Sequence, residues 1–134
     1  MDQYEILERA VLNCFLMKPE LLKETKLKER HFKKHRRFFS FINNFYNNFG
    51  NLDISLMSSV CIEPAKVFNY IGNIIDTNSV SSRFNLYENQ MLLFYQDFNA
   101  IIEIHELEKK LYARKISLEE FTEEFNKIIG GKNE

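Results

Sequence analysis

Residues 84–112 read FNLYENQMLLFYQDFNAIIEIHELEKKLY, with neither glycine nor proline among them. Nothing there stops a helix, and at 1.5 Å per residue such a helix is roughly 40 Å long. That is long for an element packed inside a chain of 134 residues, so it is expected to project. Ala100, Ile104, Leu107 and Leu111 recur along it at 4-3-4 spacing, and Phe94, Phe98 and Ile101 make a second apolar seam beside the first. Arg114, Lys115 and Ile116 then make a turn. Ser117 with Glu120 reads as a capping box, and Leu118, Phe121, Phe125 and Ile128 recur at 3-4-3 spacing until Gly130 and Gly131. The chain therefore ends in a helical hairpin whose short arm cannot cover both seams of its long arm. Exposed apolar stripes mark interfaces, so a homodimer is expected through Ile101, Ile104, Leu107, Leu111, Phe121, Phe125 and Ile128.

Towards the N-terminus the pattern stays helical but the pieces shorten. Over 4–17, Ile6, Leu7, Ala10, Val11, Cys14 and Phe15 form one apolar face, while Glu5, Glu8 and Arg9 fill the other. Pro19 opens a short second helix through Leu21 and Leu22, since proline fits a first helical turn. Phe38, Phe39, Phe41, Ile42, Phe45, Tyr46 and Phe49 give a helix apolar nearly all round, expected at the centre of the core and capped by Gly50. Asp53 is an N-cap for a helix with Ile54, Leu56, Met57 and Val60. Pro64 starts another, with Val67, Phe68, Ile71, Ile74 and Ile75. Both are expected to close over the Phe-rich helix, and the polar run 76–82 is a loop. The expected fold is all-α: one domain, 1–134, made of a small globular helical bundle (1–78) and a long C-terminal helical hairpin with a polar tail (79–134).

Composition agrees. With 45% hydrophobic residues, 13 Phe, 6 Tyr and a net charge of -1, the chain has core to bury and is neither disordered nor a nucleic-acid coat. Four glycines and two prolines supply too little turn chemistry for a many-stranded barrel. No apolar run approaches the roughly 20 residues of a membrane span, and the first residues lack a signal-peptide pattern, so a cytoplasmic protein is expected. In that compartment Cys14 and Cys61 are expected as free, packed thiols.

Catalytic constellations are missing from the pattern. Glu119, Glu120, Glu123 and Glu124 lie on the solvated side of the last helix. His31 and His35 are four apart, but Lys33, Lys34, Arg36 and Arg37 surround them and disfavour a metal ion. No serine stands in a nucleophile elbow. No catalytic residue, metal or cofactor is expected. The strong charge feature is 26–37, with seven basic residues against Glu29: +6, so the other 122 residues carry -7. Lys33, Lys34, Arg36 and Arg37 are the expected partner-binding patch, for an acidic protein surface before nucleic acid.

Several short matches occur in order along the chain. They are Glu8 with Ala10-Val11-Leu12; Pro19-Glu20-Leu21-Leu22; Phe32, His35-Arg36 and Phe39; Tyr46 and Gly50 ahead of Asp53-Ile54; and Asn78 to Ser82 leading into Asn85 and Tyr87. In this order the chain resembles the N-terminal domain of DnaB-type replicative helicases from about residue 4 to residue 129. The resemblance implies a small helical part before a long hairpin, dimerisation through that hairpin, a ring built as a trimer of dimers, and contacts with primase. It does not extend to the motor, since no Gly-rich phosphate loop ending in Lys-Ser or Lys-Thr exists in 1–134. The initiating Met and the polar tail suggest a free-standing copy of this domain. The expected function is a non-catalytic interaction module of DNA replication that binds or modulates a replicative helicase, primase or helicase loader. Two alternatives are a small DNA-binding protein using 26–37 and the helicase-binding end of a primase.

Overall fold

The structure, a computed structural model, describes residues 2–75, 77 and 79–132. Among these lie seven α-helices, two single 3-10 turns and no strand, so the protein is all-α. The helices are α1 (Gln3–Met17), α2 (Leu21–Glu24), α3 (Arg36–Phe49), α4 (Ile54–Ser59), α5 (Pro64–Ile75), α6 (Phe84–Tyr112) and α7 (Leu118–Lys132). Of the expected loop 76–82, Asp76 and Asn78 lie outside the described residues, as do Asn133 and Glu134 of the tail. The loop ends in the 3-10 turn Ser81–Arg83.

The chain divides into two compact units, Met1–Leu92 and Leu93–Glu134. The division falls inside α6 and not at residue 78, because the first turns of α6 belong to the first core. Phe84, Glu88 and Met91 are buried there, and the Phe84 ring packs 5.2 Å from that of Phe15.

In the first unit, local chemistry sets the helix ends. Asp2 accepts from the Glu5 N–H at 2.7 Å and starts α1; Asp53 does the same for α4, with the Leu56 N–H at 2.9 Å. Gly50 ends α3 at φ 73°, left-handed backbone that costs glycine nothing, and its N–H donates to the Tyr46 carbonyl. The enclosed helix is α1 rather than α3. Residues Ala10 to Phe15 of α1 are all buried because α2, α5 and the Ser81–Arg83 turn pack around them. On α3, Phe38, Phe39, Ile42, Phe45 and Tyr46 are buried, but Arg36, Arg37, Asn44 and Phe49 are exposed. Its interleaved Arg and Asn residues give it a solvated face. The apolar face of α1 is also rotated from the expected one: Ile6 is 49% exposed, whereas Glu8 is buried.

The second unit holds the later turns of α6 and all of α7. Arg114 reverses the chain in left-handed backbone (φ 58°), and the Ala113, Arg114 and Lys115 N–H groups close the end of α6 on the carbonyls of Lys109, Leu111 and Lys110. The capping box forms: Glu120 N–H donates to Ser117 Oγ at 3.1 Å, and Ser117 N–H donates to Glu120 Oε1 at 3.3 Å. Helix α7 runs past Gly130, where an end was expected. Glycine only lowers helix propensity, by about 1 kcal/mol against alanine, and Gly50 is the glycine with left-handed backbone here.

Candidate functional site

The candidate surfaces are the hairpin seams and the basic segment. In the second unit Ile104, Leu107, Leu111, Phe121, Phe125 and Ile128 are all half-buried, and the Phe121 and Phe125 rings stack at 5.9 Å. Ile101 differs: it is 52% exposed, beside Ile102 at 58%. The six half-buried positions lie along one face of the end of α6 and one face of α7, the pattern expected where two arms share a seam. Ile101 and Ile102 are adjacent apolar side chains of α6 left to solvent, and Leu93, Phe98, Tyr112, Leu118 and Ile129 of the same unit are exposed as well. The seven expected interface residues thus divide between the hairpin's own packing and its outer face.

The four basic residues do not share one environment. Lys33 Nζ lies 4.9 Å from the centre of the Tyr4 ring. Lys34 Nζ stands 3.3 Å from Glu5 Oε2 and 3.7 Å from Asp2 Oδ2. The Glu5 bond, then its charge, raises the Lys34 pKa, and the Glu5 N–H lowers that of Asp2. Arg36 Nε donates to the Phe32 carbonyl at 2.9 Å. Arg37 is exposed and has no side-chain partner among the described residues.

Two buried carboxylates clamp this segment. Glu8 Oε1 accepts the Lys33 N–H at 2.8 Å and the His35 N–H at 3.3 Å, placing negative charge at the N-terminus of α3, where the helix dipole favours it. Glu88 Oε2 accepts the Thr25 hydroxyl at 2.6 Å and the Lys26 N–H at 3.0 Å. From the sequence, Glu8 is expected on the polar face of its helix. Phase gives both carboxylates away: Glu8 repeats with Tyr4, Val11 and Phe15, and Glu88 with Phe84 and Met91. Between the clamps His31 is buried, and its Nδ1 accepts the Lys28 N–H at 2.8 Å. Burial, then the Arg30 charge, holds its pKa below the ordinary 6.5.

His35 and Tyr70 form the remaining polar pair. His35 Nδ1 is bonded to the Tyr70 hydroxyl, while its Nε2 stands 3.5 Å from Glu5 Oε1 without hydrogen-bond geometry. Burial, then the nearby Glu8 charge, pushes the Tyr70 phenol up to about 12. A phenol held that high is poorly matched to proton transfer near neutrality, so the pair orients a ring more readily than it moves a proton. The described residues contain no group of three His, Cys, Asp or Glu able to hold a metal ion. No helix among them is long and apolar enough to cross a membrane. No protein-family model, curated protein or solved structure matches the chain.

Proposed function

We propose that this protein is a non-catalytic interaction module of DNA replication, similar to the N-terminal collar domain of DnaB-type helicases. It binds a replicative helicase, primase or helicase loader and self-associates through its hairpin. The observation that carries this reading is the order of elements. A helical unit around α1 leads through α6 into a two-helix hairpin that leaves Ile101 and Ile102 to solvent. Burying an aliphatic side chain contributes roughly 1.5–3 kcal/mol, so exposed aliphatic side chains on α6 favour association. A collar-like domain carries recognition surfaces, and these residues include no phosphate loop. Its effect on a helicase is therefore competition for a docking surface, which requires binding alone. Lys34 and Arg37 support association with an acidic partner, because concentrated positive charge speeds encounter and is screened by salt.

The test mixes the full chain with the helicase, primase and loader of its own host, one at a time, in a calorimeter. Saturable binding to one of them, weakened by Lys33→Glu with Lys34→Glu, is the expected result. Binding to none, together with salt-sensitive retention on DNA, would transfer the function to the DNA-binding alternative.

A further inference from the structure

A groove of about 400 Å³ opens on the first unit between α3 and α5, within the size range of sites that take small ligands or single side chains. Phe38, Phe41, Val67 and Tyr70 form its apolar floor. The lining residues brace one another: the Phe38 ring meets Tyr70 edge-on at 4.9 Å, and His35 holds the Tyr70 hydroxyl. At its rim stand Lys34, Arg37 and Lys66, and no carboxylate is among its lining residues. Lys66 pairs with Glu63 at 3.2 Å on the open surface, and the half-exposed Lys34 ammonium pairs with Glu5 at 3.3 Å and Asp2 at 3.7 Å; surface pairs of this kind are worth at most about 1 kcal/mol and exchange readily. The Arg37 guanidinium is open to a fork-like contact with a carboxylate. An apolar floor ringed by cations, on a chain whose net charge is -1, is complementary to one chemistry.

We infer that this groove is a docking site for an acidic, aromatic-bearing peptide segment of a partner protein, with the ring on the Phe38–Tyr70 floor and neighbouring carboxylates on Arg37, Lys34 and Lys66. The inference goes beyond the proposed function, since it does not require the partner to be a replication protein. The contact is a small anchor surrounded by polar groups, a pattern in which one buried aromatic dominates binding.

The chain carries its own reporter. Cys61 lines the groove, half-buried, with its thiol donating to the Met57 carbonyl at 3.3 Å. Cys14 is fully buried, and burial pushes its thiol up to about 11, so it stays inert. The full chain is treated with iodoacetamide, with and without the acetylated peptide Glu-Asp-Phe-Asp-Glu, and alkylation of each cysteine is followed by mass spectrometry. Anisotropy of the labelled peptide gives its Kd. The expected result is saturable, salt-sensitive binding that slows Cys61 alkylation several-fold, leaves Cys14 unmodified, and weakens about tenfold with Gln-Asn-Phe-Asn-Gln or Glu-Asp-Ser-Asp-Glu. Arg37→Glu and Lys66→Glu change exposed residues and should each weaken binding about tenfold at unchanged helical content. Equal binding of the neutral peptide, or no protection of Cys61 at millimolar peptide, overturns the inference. Protection that appears on concentrating the protein alone overturns it in favour of a second copy, and protection by an oligonucleotide overturns it in favour of nucleic acid.

Discussion

Glu8 is a charge placed where an apolar side chain would ordinarily stand, and it stays because two backbone N–H groups need it. Replacing it by alanine leaves the Lys33 and His35 N–H groups without an acceptor, at about 1–3 kcal/mol for each buried donor. Glu8→Ala should therefore lower stability by roughly 2 kcal/mol or more, and Glu8→Gln, which keeps an acceptor oxygen, by clearly less. Urea unfolding of the three proteins checks the order. If Glu8→Ala unfolds at the wild-type midpoint, the clamp has no energetic role. His31 carries a pH dependence. Its folded pKa lies below 6.5, so above 6.5 both folded and unfolded forms are neutral and its contribution is fully present. As pH falls below 6.5 the unfolded chain takes up the proton first, and stability declines until the folded pKa is passed. Protonation would also remove the Nδ1 lone pair that accepts the Lys28 N–H. Denaturant midpoints from pH 7.5 to 5 should fall for the native chain and fall less for His31→Gln; parallel curves would exclude His31 as the cause.

At the scale of the element, α6 has two jobs divided along its length. Its first turns are buried through Phe84, Glu88 and Met91, while its later turns carry the hairpin seam and the exposed Ile101 and Ile102. The two faces of the hairpin should respond differently to charge. Ile101→Glu adds charge to a solvent face, so it should leave helical content unchanged and abolish self-association at tens of micromolar. Leu107→Glu puts the charge in the half-buried seam and should cost about 1.5–3 kcal/mol of local stability, loosening the hairpin whether or not the protein associates. Sedimentation velocity with circular dichroism separates the outcomes. A monomeric native chain at tens of micromolar would remove the dimer from the proposed function.

Across the whole molecule, burial is unequal. Every fully buried residue among those described belongs to the first unit, and the second is held by half-buried seam positions and its turn. Local opening costs least where few apolar contacts would be lost. Amide exchange should therefore be slowest in α1 and much faster from about residue 100 onward in dilute protein. If the hairpin associates, raising the concentration should slow exchange around Ile101 and Ile102 and leave α1 unchanged. Uniform protection along the chain would contradict this division.

The helices and most of their ends were legible from the sequence because local forces make them. Side-chain periodicity marks a helix face, and the Asp53 cap, Gly50 and the Ser117–Glu120 box act within four residues of themselves. The all-α class follows from the same short-range rules. The sequence also located the basic segment, but not what its charges meet: Lys34 meets α1, Lys33 a ring 29 residues earlier, and the Arg37 side chain has no hydrogen-bond or ion-pair partner among the described residues. Only tertiary structure could decide that α1 rather than α3 is enclosed, that Glu8 and Glu88 face inward, and that the compact unit extends to Leu92. The groove beneath Arg37 is the clearest case. Its floor joins α3 to α5 across some thirty residues of chain, and no periodicity within either helix encodes a surface made by placing one against the other.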